Sequence, residues 1–404
     1  MRDDTRAAAR HATGRTRSIW GGLGRTLLVM VTVLAISSVS VAAYGVWHLG
    51  EQFKDGAVPL GDDNTIPNIT ALNGSFNVLL VGADNAPGQK RFGAAREGTL
   101  NDVNIVIHVS ADHSKATVVS LPRDLVIPHP QCADPQTNEV FSAMAAQPLN
   151  VAYARGGLSC VVGTVENLTG LNIPYAALFS FEGTVKMADA VGGVPVCVNR
   201  AIDDPDAGLK LKKGVTVVTG RTALAYLRSR HGVGDKSDLS RIASQQAYMS
   251  SLMRTMTSAG TLSNPTKLYG LASSAADSIT LSESLADPNT MVQMALAVKS
   301  VGLNHMVFVQ YPTAADPVNP NKVVPSTALA SVLMQRVQQD KAIALDKDAL
   351  GLSTTLKNAK KKAATATASP SPSPSASAST DADVVAGLRG QTAAEQTCSL
   401  AAGS

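Results

Sequence analysis

Asn101-Asp-Val-Asn-Ile-Val-Ile-His-Val-Ser-Ala-Asp-His-Ser-Lys-Ala-Thr-Val-Val-Ser-Leu-Pro-Arg-Asp124 is the stretch that decides the fold. Two apolar, β-branched runs, Val103–Val109 and Ala116–Leu121, flank the polar turn Ser-Ala-Asp-His-Ser-Lys, which is the pattern of a β-hairpin. Asp102 stands just before the first run, and Pro122-Arg123-Asp124 stands just after the second. An antiparallel hairpin brings those positions to the same end, so a carboxylate and a guanidinium are presented side by side.

Working outward, Phe76–Val81 is a continuous apolar run of the kind that fills a buried central strand, and Asp84 lies at its tip after Gly82-Ala83. A loop over 87–98 with Lys90, Arg91 and Arg96 leads into the hairpin. Downstream, 128–147 reads as irregular, 150–169 as a helix closed by Gly170, and 176–181 as a strand. A helix over 182–191, a strand over 194–198 and a loop over 202–208 follow, then helices over 219–228 and 239–259. Asp287-Pro288 starts a further helix with an N-cap and a first-position proline. A strand over 306–311 and a helix over 326–340 complete the series. Strands interleaved with helices predict an α/β fold, a central mixed sheet flanked by helices on both faces.

The charge is unevenly placed. Before Gly50 there are six arginines (Arg2, Arg6, Arg10, Arg15, Arg17, Arg25) against Asp3 and Asp4. Removing them from the 35 basic and 31 acidic residues of the 404-residue chain leaves 29 of each. The basic balance therefore belongs to the N-terminal tail, and nucleic acid is not an expected partner. Residues 26–50 carry no Asp, Glu, Lys or Arg, which reads as a single transmembrane anchor, with the arginine-rich flank inside and the C-terminal bulk outside. Tyr44 and Trp47 sit at its outer edge; the competing reading is a cleaved signal peptide with Ser40-Val41-Ala42 at the cleavage site.

The expected organisation is a cytoplasmic basic tail over 1–25, a membrane anchor over 26–49 and a connector over 50–74. An extracellular folded domain over 75–345, a linker over 346–380 and a tail over 381–404 follow. Residues 363–380 are Ala, Thr, Ser and Pro only, a composition that buries no core. All four cysteines (Cys132, Cys160, Cys197, Cys398) lie beyond the anchor, where disulfides are permitted. They allow three pairings that spacing does not separate; Cys132 with Cys160 and Cys197 with Cys398 is the preferred one.

A second charged segment runs Arg228-Ser229-Arg230-His231-Gly232, then Asp235, Arg241 and Gln245-Gln246. Helix ends meeting at a Gly-rich turn can aim several guanidiniums into one space, although most arginine pairs are only a solvated basic surface. Asp84, Asp102 and Arg123 stand at strand ends, where α/β sheets build their sites. Arginines with two carboxylates suit a pyrophosphate bound with a divalent metal, because guanidiniums grip phosphate oxygens bidentately and carboxylates hold Mg²⁺. No Walker-type Gly-x-x-x-x-Gly-Lys-Ser is present, and Ser120 and Ser229 lack a Gly-x-Ser-x-Gly context. His231 could be a base but reads first as a structural loop histidine, and Asp203, Asp204 and Asp206 could bind a cation but read first as an Asp-Pro turn.

Ordered blocks over roughly 76–259 resemble the LytR-CpsA-Psr family. They are Phe76-Asn-Val-Leu-Leu-Val-Gly-Ala-Asp84, Asn101-Asp102, Ser120-Leu-Pro-Arg-Asp124, Thr164-Val-Glu-Asn-Leu-Thr-Gly170 and Phe181-Glu-Gly183. Ala190-Val-Gly-Gly-Val194, Ile202-Asp-Asp-Pro205, Ala223-Leu-Ala-Tyr-Leu-Arg-Ser-Arg-His231 and Arg241 with Gln245-Gln246 continue the series. The resemblance implies a cell-envelope glycopolymer ligase. Such an enzyme moves a glycosyl-phosphate from a polyprenyl-pyrophosphate carrier in the membrane onto peptidoglycan, typically at the 6-hydroxyl of N-acetylmuramic acid. It implies Asp84 and Asp102 as metal-binding and catalytic acids with Mg²⁺ or Mn²⁺, and catalytic Arg123. Arg123, Arg228, Arg230, Arg241, Gln245 or Gln246 would be pyrophosphate ligands, and the lipid would occupy an apolar channel. The family usually has Arg where this chain has Leu100, and often Arg where it has Ser244; Arg96 or Arg91 is the candidate substitute. Two other readings stay open: a degenerate member that binds polyprenyl pyrophosphates without transfer, and a lipid pyrophosphatase.

Overall fold

A seven-stranded sheet carries the core of the computed structural model, which describes residues 19–61, 74–84, 99–134, 137–258, 260, 278–346, 349–351, 353–357 and 384–403. In chain order the strands used below are β1 (Phe76–Ala83), β2 (Asn101–Val109), β3 (Ala116–Leu121), β4 (Val126–His129) and β5 (Met144–Pro148). β6 (Tyr175–Phe179), β7 (Val194–Val198), β8 (Ile202–Asp204), β9 (Leu209–Leu211) and β10 (Gly214–Val218) come next. The last are β11 (Ile279–Leu281), β12 (Met306–Gln310), β13 (Thr354–Leu356), β14 (Gly390–Thr392) and β15 (Thr397–Ser399). The helices are α1 (Ile19–Asp55), α2 (Ala152–Thr169), α3 (Phe181–Ala190), α4 (Gly220–Arg228), α5 (Asp238–Ser258), α6 (Pro288–Val301) and α7 (Thr327–Gln338).

The main sheet has the order β11-β6-β1-β2-β3-β12-β14. β1 pairs parallel with β6 and antiparallel with β2, and β3 pairs antiparallel with β2 and parallel with β12, so the sheet is mixed as expected. Both faces are covered, which is why β1 and β3 are mainly apolar rather than alternating, with Asn77, Thr117 and Ser120 as their polar members. On one face Leu79, Val81, Val106 and Val119 pack with Val161 and Val165 of α2 and Leu333 and Val337 of α7. On the other, Val78, Ile105, Val118 and Phe308 pack with Met294, Ala297 and Val301 of α6. A second sheet, β10-β7-β15-β13, shares a third apolar cluster with Ala223 and Tyr226 of α4 and Tyr248 of α5.

Local chemistry sets the element ends. Gly170 closes α2 with φ of 65°, and the Ser180 side chain caps α3 by accepting from the Gly183 N–H. Asp287 does the same for α6 from Thr290, with Pro288 in the first turn. The span read as irregular forms the antiparallel pair β4–β5, and the span read as a loop forms the hairpin β8–β9. Strands this short carry too little periodicity to stand out in the sequence.

Residues 26–49 require a correction. They lie inside α1, a continuous helix of 37 residues, and among the described residues no helix is long and apolar enough to cross a membrane. The expected transmembrane anchor, its signal-anchor role and the single-pass location, cytoplasmic N-terminus and extracellular domain, are corrected accordingly. The apolar stretch is one section of a longer helix that continues without a break through Glu51, Lys54 and Asp55, and Thr32, Ser37 and Ser40 interrupt its apolar surface. The chain divides into two units, Met1–His48 and Leu49–Ser404, and everything below concerns the second.

Disulfides join Cys132 to Cys160 and Cys197 to Cys398. The second closes a loop 201 residues apart in sequence and anchors β15 to β7. Replacing Cys197 and Cys398 together by Ser is expected to lower unfolding free energy by about 2–5 kcal/mol. Urea unfolding measures it, with midpoint and slope fitted together, because releasing the cross-link expands the unfolded chain and steepens the slope.

Candidate functional site

The charged end of the hairpin is built by an irregularity in β2. Leu80 lies opposite Ile105 and Gly82 opposite Val103, yet the next pair is Ala83 with Asn101. Asp102 is therefore an extra residue, a β-bulge. In a regular strand, neighbours point to opposite faces, and a bulge re-aims one of them. Here Asp102 and Val103 both line one cavity, while Asn101 is fully buried. The Asn101 side chain donates to Asn104 Oδ1 (2.8 Å) and the Leu149 carbonyl (3.0 Å), and accepts from the Tyr153 N–H (3.1 Å) at the start of α2. Opposite the bulge, a Cβ on Gly82 would meet the Val103 Cβ at 3.0 Å, so the close approach favours glycine. Asp84, just past β1, is held by the Leu100 backbone: its N–H donates to the Leu100 carbonyl (3.2 Å) and its Oδ1 accepts from the Leu100 N–H (3.0 Å).

Arg123 follows β3, and its Nη1 donates to Asp102 Oδ1 at 2.6 Å. Its backbone N–H donates to Asp238 Oδ2 (3.3 Å) at the start of α5. One turn on, Arg241 Nη2 sits 2.6 Å from Asp238 Oδ1 and donates to the Asp102 carbonyl at 2.9 Å. The Asp238 and Arg241 side chains are only 7% and 5% exposed. Burial pulls Arg241 below its ordinary pKa, opposed by Asp238 and reinforced by Arg123, though a guanidinium stays charged in any protein setting. At Arg123 burial acts the same way, but Asp102, Asp238 and Asp124 outweigh it and the net shift is upward. Burial would raise the Asp124 carboxyl; Lys322 at 2.6 Å and Arg123 overcome this and hold it below the usual range. The Nε atoms of Arg123, Arg230 and Arg241 are buried without a hydrogen-bond partner among the described residues. Buried donors of that kind call for an acceptor.

The cavity that these groups line has a volume of about 570 Å³. Along β1 and β2 its wall passes from Leu80 and Ile105, through Gly82 and Val103, to Asp84 and Asp102. That is a change from hydrocarbon to charge over four residues, roughly 13 Å of strand. Phe179, Phe181, Met187, Leu224, Leu227, Met249 and Leu252 widen the apolar part. Arg228, Arg230, Arg241 and Gln245 join Arg123 in the lining, with the Arg228 guanidinium 4.6 Å over the Phe181 ring. Gln245 Nε2 donates to the Leu227 carbonyl at 2.9 Å, tying α5 to the end of α4. Gln246 does not reach the lining; it is buried and donates to Ser120 Oγ at 3.4 Å. Arg96, Arg91 and Lys90 lie outside the described residues, and Ser244 is fully buried.

Asp204, Asp206 and His231 line the same cavity, and their ligand atoms all lie within 4.8 Å of one another, so this cluster could coordinate a metal ion. His231 Nδ1 is 2.7 Å from Asp206 Oδ2. Burial would raise the Asp204 carboxyl, but hydrogen bonds from Ser229, Ala207 and Gly232 bring it below the ordinary value. Sequence reasoning set these residues aside as a turn, and it missed Asp238 altogether. The signal for Asp238 was present: an acid three residues before Arg241 at a helix start faces it across one turn.

Comparison with known proteins places these observations. The model of the LytR_cpsA_psr family matches residues 48–342. The chain is 32% identical over 280 residues to the cell wall biosynthesis protein LcpA of Corynebacterium glutamicum, covering 63% of this chain and 53% of that protein. It is 30% identical over 258 residues to the probable cell wall biosynthesis protein LcpB of the same organism, covering 62% and 57%. It thus spans little more than half the length of these relatives. Among solved structures, the LytR-Csp2A-Psr enzyme from Actinomyces oris superposes with a TM-score of 0.51 at 22% identity, covering 70% of this chain and 96% of that one. At that identity the likeness speaks to the fold alone.

Removing Asp238 leaves the buried Arg241 without its ion-pair partner. Asp238→Ala is expected to cost about 3–5 kcal/mol of stability, read from the urea midpoint.

Proposed function

Because the chain belongs to the LytR_cpsA_psr family, we propose that it is a phosphotransferase that moves a glycan-phosphate from a polyprenyl-pyrophosphate carrier onto peptidoglycan. One observation carries this reading. Four guanidiniums stand with Asp84 and Asp102, and with the Asp204, Asp206 and His231 cluster, at the charged part of a cavity whose wall elsewhere is mainly apolar. A pyrophosphate with a long hydrocarbon tail has the same division of chemistry. The two relatives named for cell-wall biosynthesis support the same reading.

The arginines would act as preorganised donors for a dianionic group, a use in which fixed charges need no rearrangement during reaction. The Nε atoms of Arg123, Arg230 and Arg241 make no hydrogen bond among the described residues, and Arg228 is steadied by its contact with Phe181. The hydroxyl oxygen of the acceptor sugar attacks the glycan-bearing phosphorus, the bond to the lipid-side phosphate breaks, and polyprenyl phosphate leaves. Asp102 receives the proton of the attacking hydroxyl. Arg123, bound to Asp102 at 2.6 Å, fixes that carboxylate and lies beside the charge that develops on the phosphates. Asp84 and Asp102 end paired strands and line one cavity, which fits an oxygen-ligated divalent ion. Mg²⁺ or Mn²⁺ held there would neutralise phosphate charge. The apolar wall from Leu80 to Phe179 would take the lipid.

The full chain, a synthetic polyprenyl-pyrophosphoryl glycan, Mg²⁺ and peptidoglycan oligomers, with the glycan followed by mass, test the proposal. Glycan is expected on the peptidoglycan, falling roughly 10²–10³-fold in rate with Arg123→Ala. An Asp102→Ala protein that transfers at the normal rate would remove Asp102 from its assigned role. Phosphate release without labelled peptidoglycan would mean a pyrophosphatase. Binding without transfer, restored by Leu100→Arg, would mean a carrier-binding protein.

A further inference from the structure

The segment Val384–Gly403 lies beyond the residues matched by the family model, yet it attaches to each of the three consecutive elements that bear the arginines. β15 sits between β7 and β13, and Cys398 within it is bonded to Cys197. At α4, which ends in Arg228, the Tyr226 hydroxyl meets Ser399 Oγ at 2.5 Å. At α5, which bears Arg241 and Gln245, Gln391 Nε2 donates to Ser250 Oγ (2.7 Å), and Arg254 Nη1 donates to the Ala393 and Glu395 carbonyls (2.7 Å each).

Between these helices runs the loop that carries Arg230. There the segment behaves as a short added strand: Val233 pairs antiparallel with Ala401, the Gly234 N–H donates to the Leu400 carbonyl (3.0 Å), and the Ala402 N–H donates to the Gly232 carbonyl (2.9 Å). From the other side, Asp204 accepts from Ser229 Oγ (2.6 Å) and the Gly232 N–H (3.0 Å). Gly232 and Gly234 give this loop unusual backbone freedom, and Gly234 is in the left-handed region with φ of 49°. A loop so rich in glycine holds a guanidinium still only when both sides are fastened.

We infer that the C-terminal segment is a strap that positions the Arg230 loop, and with it Arg228 and Arg241, for the phosphate-bearing end of the substrate. The inference rests on the reading of the cavity as a pyrophosphate site. No residue of the strap lines the cavity; the strap acts through the loop. Donors ordered before binding spare the ligand the cost of ordering them, so a loosened loop weakens the phosphate grip while the apolar wall stays intact.

The strap predicts a split between two probes of the full chain. Inorganic pyrophosphate with Mg²⁺ reports on the arginines, and farnesol reports on the apolar wall. Ala402→Pro removes the N–H that holds Gly232, whereas Ala402→Gly keeps it. Releasing the strap by Cys197→Ser with Cys398→Ser approaches the same state by another route, in case the proline variant does not fold. Calorimetry on folded Ala402→Pro, or on the double serine variant, is expected to show pyrophosphate binding about tenfold weaker. Farnesol binding stays within about twofold of the parent, and Ala402→Gly matches the parent for both probes. Unchanged pyrophosphate affinity, or equal loss of both probes, overturns the strap. If the parent protein itself binds no pyrophosphate, it is the functional reading that fails.

Discussion

The extra residue that β2 carries opposite Gly82 sets the geometry of the site. Without it, strand alternation would turn Asp102 to the face opposite Val103, and the carboxylate would enter the packed layer under α2. With it, Asn101 goes inward and pins the start of α2, and Asp102 comes out beside Val103 and Arg123. The buried amide of Asn101 has its hydrogen bonds met by three different partners, which makes the bulge costly to remove. A buried residue and a cavity-lining one thus sit side by side in sequence and on opposite sides of the sheet.

The arginines pose the opposite problem, because a buried guanidinium is expensive unless it is paired. Asp102 meets much of that cost for Arg123 and Asp238 for Arg241, each through an ion pair at 2.6 Å, while Asp238 also accepts from the Arg123 backbone N–H. The hydrogen bonding is incomplete: among the described residues the Nε donors of Arg123, Arg230 and Arg241 make no hydrogen bond, although Arg123 Nε lies 3.5 Å from Asp124 Oδ2. A site that is electrostatically satisfied for folding but short of acceptors is ready for an anion. The second sheet and the C-terminal strap extend the same logic outward, since both brace α4, α5 and the loop between them.

The sequence made much of this legible where the signal was local and repeated. The two β-branched runs of the hairpin, the apolar run of β1, the Gly170 stop and the Asp287-Pro288 start each follow from residue chemistry read over a few positions. Asp84, Asp102, Arg123, Arg228, Arg230, Arg241 and Gln245 came from strand ends, a Gly-rich turn and the family resemblance, and the fold gathers them at one cavity. What stayed hidden depends on pairing. A one-residue bulge leaves no mark on Asp-Val-Asn, because the apolar run reads the same with or without it. Gln245 and Gln246 are equivalent in sequence, and only the setting of α5 sends one to the cavity and the other to Ser120. β14 and β15 have three residues each, too few for a period, and they join sheets whose other strands lie far away in sequence. The uncharged run at 26–49 carries a membrane signal by length and composition, yet it belongs to a longer helix and no described helix meets the requirement for a span.

The most direct measurement is a crystal structure of the protein with a short prenyl pyrophosphate bound. The account predicts phosphate oxygens within hydrogen-bond distance of Arg123, Arg230 and Arg241, and the hydrocarbon running past Val103, Ile105 and Leu80 toward Phe179. Phosphates seated away from those arginines, at Asp204, Asp206 and His231 or on the outer surface, would contradict it.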